Sequence, residues 1–434
     1  MASMTRSESS SLKDGKGHHI NNQAIDAETA ENKAPSNLPF PDGGFRAWMV
    51  ALGAAGVMFC TIGYVNAFGV YQDYYSTHQL SHRSPSDISW IGSMQTFLLF
   101  AAGVVGGPLF DRYGGKVIWV PSVILVFSVM ITSLCKEYYQ FFLAQGVLGG
   151  LGMGMTMAPA LSSAAQYFQK KRAAALGLSV AGSSLGGVVF PIALDRMFSS
   201  SFGFAWGVRV VGFIILGILI FSITTIRARL PPRTRQFLKL NAFKSITYDT
   251  AIASVFFLDL GIFTPLFYLP TYGETHKMGL RMSFYLLSIL NGCSFFGRLI
   301  PGFVADKFGT FNTLSMLGYI TGILTLCWIR MTTSASIIVF AALYGFFSGG
   351  VIGLTPAVFA NITPNPQDIG TYMGMGMAII SIATLIGPPI NGALVNAYGG
   401  FVQVQVFTGV VILVGSTLVV ITKLVSGNTY LSKA

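Results

Sequence analysis

Apolar runs of about 20 residues, the length that crosses a bilayer as a helix, recur along nearly the whole of this 434-residue chain. In lipid an apolar run has no water to bond its peptide groups, and a helix satisfies them within the run itself. Twelve runs can be counted, at roughly 47–72, 88–110, 117–134, 140–167, 173–195, 206–226, 248–271, 283–304, 312–330, 335–359, 370–394 and 401–424. Only 10% of the residues are charged, against about 25% in a soluble globular protein. The chain is therefore an all-α, polytopic membrane protein with twelve transmembrane helices. Its 50 glycines suit close helix packing in lipid.

The runs fall into two related sets of six. Gly107-x-x-x-Asp111-Arg112-x-Gly114, followed by Lys116, is answered 195 residues on by Gly302-x-x-x-Asp306-Lys307-x-Gly309. Gly146-x-x-x-Gly150 before Ala158-Pro159-Ala160 is answered by Gly345-x-x-x-Gly349 before Thr355-Pro356-Ala357, and Gly186-Gly187 with Pro191 by Gly387-Pro388-Pro389. A near-constant offset across three landmarks implies two pseudo-symmetric six-helix bundles with a solute site between them near mid-membrane. In the charged turns the glycine permits close helix approach. The aspartate can face a helix N-terminus, where negative charge is stabilised, together with an arginine or lysine partner. Such a contact latches one conformation; the alternative is a solvated turn with ordinary loop charge.

Lysines and arginines set the orientation. Twelve of them (Arg112, Lys116, Lys170, Lys171, Arg172, Arg227, Arg229, Arg233, Arg235, Lys239, Lys244 and Lys307) lie in the even-numbered connections. Six (Arg83, Lys136, Arg196, Lys277, Arg281 and Arg330) lie in the odd-numbered ones. Positive charge gathers on the cytoplasmic side, so both termini are expected there. The same asymmetry accounts for the net charge of +11 without nucleic acid. The expected organisation is a disordered cytosolic tail (1–40), an N-terminal bundle (41–226), a cytoplasmic linker (227–247) with a short interfacial helix near Arg235 to Phe243, a C-terminal bundle (248–424) and a cytosolic C-terminus (425–434).

Together these features resemble the major facilitator superfamily, and more narrowly its monocarboxylate porter family in the fungal branch. The narrower resemblance is carried by Pro41-Asp42-Gly43-Gly44-Phe45, Asn66-Ala67-Phe68-Gly69-Val70-Tyr71, Tyr167-Phe168-x-Lys170-Lys171-Arg172-Ala173 and Ala181-Gly182-Ser183-Ser184-x-Gly186-Gly187. It implies a two-bundle rocker that moves organic solutes, often carboxylates and sometimes with a proton. The animal carriers of that family use a lysine in span one and an aspartate–arginine pair in span eight. At the matching positions this chain has Asn66, Ser294 and Arg298. Of three charged groups one remains, which favours a larger, less strictly anionic solute.

Arg298 is costly inside an apolar run and marks function by default; the alternative is a structural arginine satisfied by carbonyls. It lies eight residues before Asp306, about 12 Å from the helix end at 1.5 Å per residue. Asn291, Ser294 and Arg298 recur at i, i+3 and i+7 on one helix face, a stripe suited to a polar cavity. Asp259, the carboxylate well inside the seventh run, is expected at similar depth, as a partner for Arg298, as a proton carrier, or as half of a structural ion pair. Phe68, Tyr71, Tyr268 and Phe359 are aromatics that can line the path, although with 35 phenylalanines lipid-facing packing serves as well for any one.

The chain lacks G-x-x-x-x-G-K-[ST], which excludes a P-loop pump. Paired catalytic groups, a CxxC spacing and a histidine cluster are also missing from the sequence, so no enzyme activity, cofactor or metal is expected. The expected partners are a small organic solute, a proton where coupling exists, and the lipid bilayer, without an obligate protein partner. Export of a secondary metabolite or organic acid across the plasma membrane is the leading reading. Proton-coupled uptake of a monocarboxylate or vitamin-like solute is the alternative, and a membrane sensor on a transporter scaffold a remote one.

Overall fold

A computed structural model describes residues 40–231 and 237–427. The expected tail, apart from Phe40, lies outside the described residues, as do Arg233, Arg235 and residues 428–434.

The described residues form helices and connections without a strand. Eleven helical stretches are long and apolar enough to cross a bilayer. One of them, Ser86–Thr132, has 47 residues, about 70 Å if straight and more than twice a hydrocarbon core of about 30 Å. The chain reverses within it at Gly114, where φ is 71°, so this stretch holds two of the twelve expected spans. The spans are α1 (Phe45–Thr77), α2 (Pro85–Ala101 continued by Gly103–Tyr113), α3 (Trp119–Thr132), α4 (Tyr138–Tyr167), α5 (Arg172–Phe198) and α6 (Gly203–Thr225), then α7 (Ile246–Thr275), α8 (Leu280–Phe308), α9 (Thr310–Cys327), α10 (Ser334–Ile362), α11 (Ile369–Tyr398) and α12 (Val402–Val425). Before α7, Leu240–Lys244 makes one 3₁₀ turn, shorter than the interfacial helix expected there. All four cysteines are free.

Besides α2, interrupted at Ala102, two spans break near their middles. The helix of α1 passes through a π-helical turn at Phe59–Gly63 and resumes at Phe68 after Asn66-Ala67. In α7 the break is at Phe263, just before Pro265, whose ring nitrogen has no hydrogen to donate. The Tyr344 hydroxyl of α10 donates to the Ile262 carbonyl at 2.8 Å and so satisfies a group the break releases. Asn66 and Phe263 are 197 residues apart, so the two breaks share the register of the sequence repeat.

Across the middle of the molecule α2 packs on α11 and α5 on α8. Both contacts are built from small residues four apart. A Cβ added at Gly107 would run into the Gly370 carbonyl and one at Gly374 into the Gly103 carbonyl, and one added at Gly302 would lie 2.8 Å from the Ala173 carbonyl oxygen. A Cβ at Gly177 would strike the Arg298 carbonyl. These backbones meet because no side chain stands between them. The end of the molecule where they meet carries Arg112, Lys116, Lys170 and Lys307, and is called the basic end below.

Candidate functional site

A cavity lies between the two sets of six spans, lined by α1, α2, α4, α5, α7, α8, α10 and α11. It leaves about 50 Å³ to water-sized molecules, well below the few hundred Å³ of a pocket holding an organic ligand. In this conformation the site is therefore too small for such a solute. Its walls are chiefly apolar, including Met58, Phe100, Met157, Phe263, Leu266 and Met377. All five candidate polar residues line it: Asn66 from α1, Asp259 from α7, and Asn291, Ser294 and Arg298 from α8.

Arg298 is 3% exposed. Its Nη1 donates to the Val180 carbonyl of α5 at 3.1 Å and to the Ser183 hydroxyl, which itself donates to the Val180 carbonyl. Its Nε is buried without a hydrogen-bond partner. The side chain has room because α10 carries Gly353 beside it: a Cβ there would lie 3.2 to 3.3 Å from Arg298 carbons. Asp259 is 7% exposed and has no ionic or hydrogen-bonding partner among the described residues. The pairing of Asp259 with Arg298, one of the expectations, is therefore not made in this conformation; the two share a cavity instead.

Asn66 and Asn291 join α1 to α8. The Asn66 Nδ2 donates to Asn291 Oδ1 at 3.5 Å, and Asn291 Nδ2 donates to the Leu287 carbonyl. Gly187 of α5 makes this possible, since a Cβ there would lie 2.7 Å from Asn66 Nδ2 and 2.8 Å from Asn291 Oδ1. The run from Ala181 to Gly187 thus has a use for each turn. Gly182 admits the Ala55 backbone, Ser183 holds Arg298, Gly186 admits Gly63, and Gly187 admits the two asparagines.

Toward the basic end the two charged turns make equivalent contacts. Asp111, 5% exposed at the end of α2, accepts from the Gly370 N–H at 3.1 Å and from the Thr371 N–H and hydroxyl, each at 2.7 Å. Asp306, at the end of α8, accepts from the Ala173 and Ala174 N–H groups at 2.9 and 3.0 Å. Each carboxylate therefore caps a helix of the other set, α11 or α5, where unpaired N–H groups and the helix dipole favour negative charge. Gly114 and Gly309 end the two turns at φ 71° and 97°, values that favour glycine. Arg112, Lys116 and Lys307 are exposed.

Further contacts at this end tie connections together. Arg172 donates through Nη1 to the Ala360 carbonyl and Asn361 Oδ1 of α10, both at 3.0 Å. Lys239, after α6, forms an ion pair with Asp368 at the start of α11. Asp42 accepts from the Gln169 and Lys170 N–H groups at 2.6 Å, fixing the Pro41-Asp42-Gly43-Gly44 segment onto the α4–α5 turn. Burial lowers the Arg229 guanidinium from its usual range, opposed by Tyr167, while its Nε donates to the Gln166 carbonyl.

Other expected positions fall elsewhere. Tyr71 is fully buried in an aromatic cluster with Tyr64, Tyr75 and Phe204, and Phe359 packs against Tyr248. Neither these two nor Phe68 or Tyr268 lines the cavity. Ser183 and Gly187 were noted only as members of motifs and the methionine walls not at all, because in a run of small or apolar residues nothing marks which serine or methionine faces a cavity.

The sequence matches the Major Facilitator Superfamily over residues 47–365 and again over 302–429. It is 66% identical to the aspyridones efflux protein apdF of Emericella nidulans over 394 residues, 91% of this chain and 81% of that protein. It is 38% identical to the agnestins efflux protein of Paecilomyces divaricatus, with 94% of each chain covered. Among solved structures, the human organic anion transporter TETRAN superposes with a TM-score of 0.71 over 87% of this chain and 100% of that one, at 14% identity. The proton:xylose symporter XylE gives 0.69 over 86% and 94%, also at 14%. Twelve apolar spans, two sets of six with mutual aspartate caps, a small cavity between them and these likenesses converge: the chain belongs to the Major Facilitator Superfamily.

Proposed function

We propose that this protein exports a secondary metabolite of the aspyridone kind by alternating access between residues 41–226 and 248–424, with 227–247 as linker. The observation that carries this reading is the convergence of Asn66, Asp259, Asn291, Ser294 and Arg298 from both sets of spans on one otherwise apolar cavity. Few polar groups on an apolar wall fit a largely apolar organic solute held in orientation by a few hydrogen bonds. Efflux is supported by the names of the relatives. The motifs shared with the fungal branch of the monocarboxylate porter family support the narrower kinship.

In this reading the basic end faces the cytoplasm of a plasma-membrane protein, following the positive-charge asymmetry. The Asp111 and Asp306 caps hold that end shut, and loading requires both to release. Arg298 orients an acceptor group of the solute. Asp259 carries a proton or meets a donor group of the solute. The test is metabolite profiling of a producing strain with and without the gene. Retention of an aspyridone-type product inside cells of the deletion strain, relieved by restoring the gene, is expected; unchanged secretion contradicts export.

A further inference from the structure

Arg298 makes its hydrogen bonds across the interface between the two sets of spans, and makes them to neutral groups. Its guanidinium offers five N–H donors, yet among the described residues only Nη1 has hydrogen-bond partners, the Val180 carbonyl and the Ser183 hydroxyl of α5. Nε is sealed without one. The register equivalent of Arg298 in α2 is Gly103, which meets Gly374 through backbone alone. At this level of the helices the halves touch through small residues on the α2–α11 side, whereas on the α5–α8 side a guanidinium reaches across.

We infer that Ser183 and the Val180 carbonyl are stand-ins for the solute, occupying Arg298 while the basic end is closed and releasing it when α5 and α8 part there. This rests on the reading of Arg298 as a solute-facing group. Three features carry it. The bonds run between helices that must separate for the basic end to open, since Asp306 caps α5 and Gly302 touches Ala173. Both acceptors are neutral, whereas a carboxylate or an ionised enol brings a full opposite charge, and a carboxylate can also take two guanidinium N–H groups in parallel, so a solute bearing either displaces them once α5 moves away. Finally, the cavity that Arg298 and Val180 line is too small for such a solute in this conformation. The guanidinium is then free and binds tightly with the basic end open, and is taken back by its own chain as that end closes. Differential affinity between two states is what a ligand needs to shift them. Ser183 is on this account a positioning residue that expels the solute.

The test uses inside-out vesicles containing the full-length protein, with aspyridone supplied outside and initial uptake measured against concentration. Ser183→Ala and the near-isosteric Ser183→Cys remove the hydroxyl acceptor. Each is expected to lower KM and kcat together by about tenfold, the worth of one hydrogen bond to a charged group, because release slows. Ser183→Thr, which keeps the hydroxyl, is expected to restore both. If both hydroxyl-free variants reach the membrane with wild-type KM and kcat, or lose kcat with KM unchanged or raised, the stand-in role is overturned. Failure of both to reach the membrane also overturns it, since the serine is then structural. Arg298→Ala separates the two claims: loss of transport there keeps Arg298 as a solute group whatever Ser183 does, and wild-type transport there removes the reading beneath it.

Discussion

Arg298 stands in α8 where Gly103 stands in α2. Each lies four residues before a glycine that touches the other half, Gly302 or Gly107, and eight before a capping aspartate, Asp306 or Asp111. The scaffold is therefore duplicated at the basic end and diverges one helical turn inward, where one copy keeps a backbone contact and the other presents a guanidinium to the cavity.

The duplicated part makes the first prediction. Asp111 and Asp306 both cap helices across the interface, and Asp111 is the more deeply buried of the two. Asp111→Asn should weaken closure of the basic end by about 1–3 kcal/mol, and Asp306→Asn by less. Thiol labelling of a cysteine placed at Thr355, on the cavity wall, reads this directly. Faster labelling in both variants, fastest in Asp111→Asn, is expected; equal labelling in wild type and variants speaks against the caps as latches.

Gly107 and Gly370 make the second. A Cβ at Gly107 runs into the Gly370 carbonyl, and one at Gly370 lies 2.6 Å from Asp111 Oδ1. Backbone cannot give way, so Gly107→Ala should hold the basic end open. Transport is expected to fall at least tenfold, the effect of about 1.4 kcal/mol, with normal amounts of protein in the membrane. The connection glycine Gly400 has nothing within 4 Å of an added Cβ, and Gly400→Ala should transport as wild type.

The break in α7 makes the third. Tyr344→Phe leaves the Ile262 carbonyl without its 2.8 Å donor in a buried setting. A buried acceptor left unpaired costs about 1–3 kcal/mol. The purified variant should unfold at a lower temperature than wild type while Tyr319→Phe, at a half-exposed hydroxyl shared with Thr417, should not.

How much of this was legible in the sequence depended on range. Arg298 and Asp259 announced themselves because a charge in an apolar run is expensive, and the charged turns because they repeat at one offset. What the aspartates cap was not legible: Asp111 meets Gly370 and Thr371 some 260 residues away, a pairing that neither spacing nor periodicity encodes. Asn66 was found as the replacement for a charged residue, yet its contact with Asn291 depends on the missing side chain of Gly187, one glycine among 50. The α1 break at Asn66-Ala67 has no proline to mark it, whereas the α7 break has Pro265. Aromatics carried no signal for the path: Tyr71 and Phe359 fill cores, and apolar wall and apolar core have the same composition.

Proton coupling through Asp259 makes the fourth prediction. Asp259→Asn keeps the size of the side chain and removes its ability to gain and lose a proton. If Asp259 carries the coupled proton, export should lose its dependence on external pH while solute exchange between two loaded compartments continues. A pH profile that tracks wild type assigns coupling elsewhere.

The central claim is that Arg298 and its neighbours bind the exported solute, and one measurement addresses it most directly. Aspyridone uptake into inside-out vesicles should fall by at least a hundredfold in Arg298→Ala, about 2.7 kcal/mol, which is within the worth of two hydrogen bonds to a charged group. Arg298→Lys should recover little, because an ammonium lacks the planar fork that reaches two acceptors at once. Wild-type uptake by a correctly inserted Arg298→Ala protein would contradict the account.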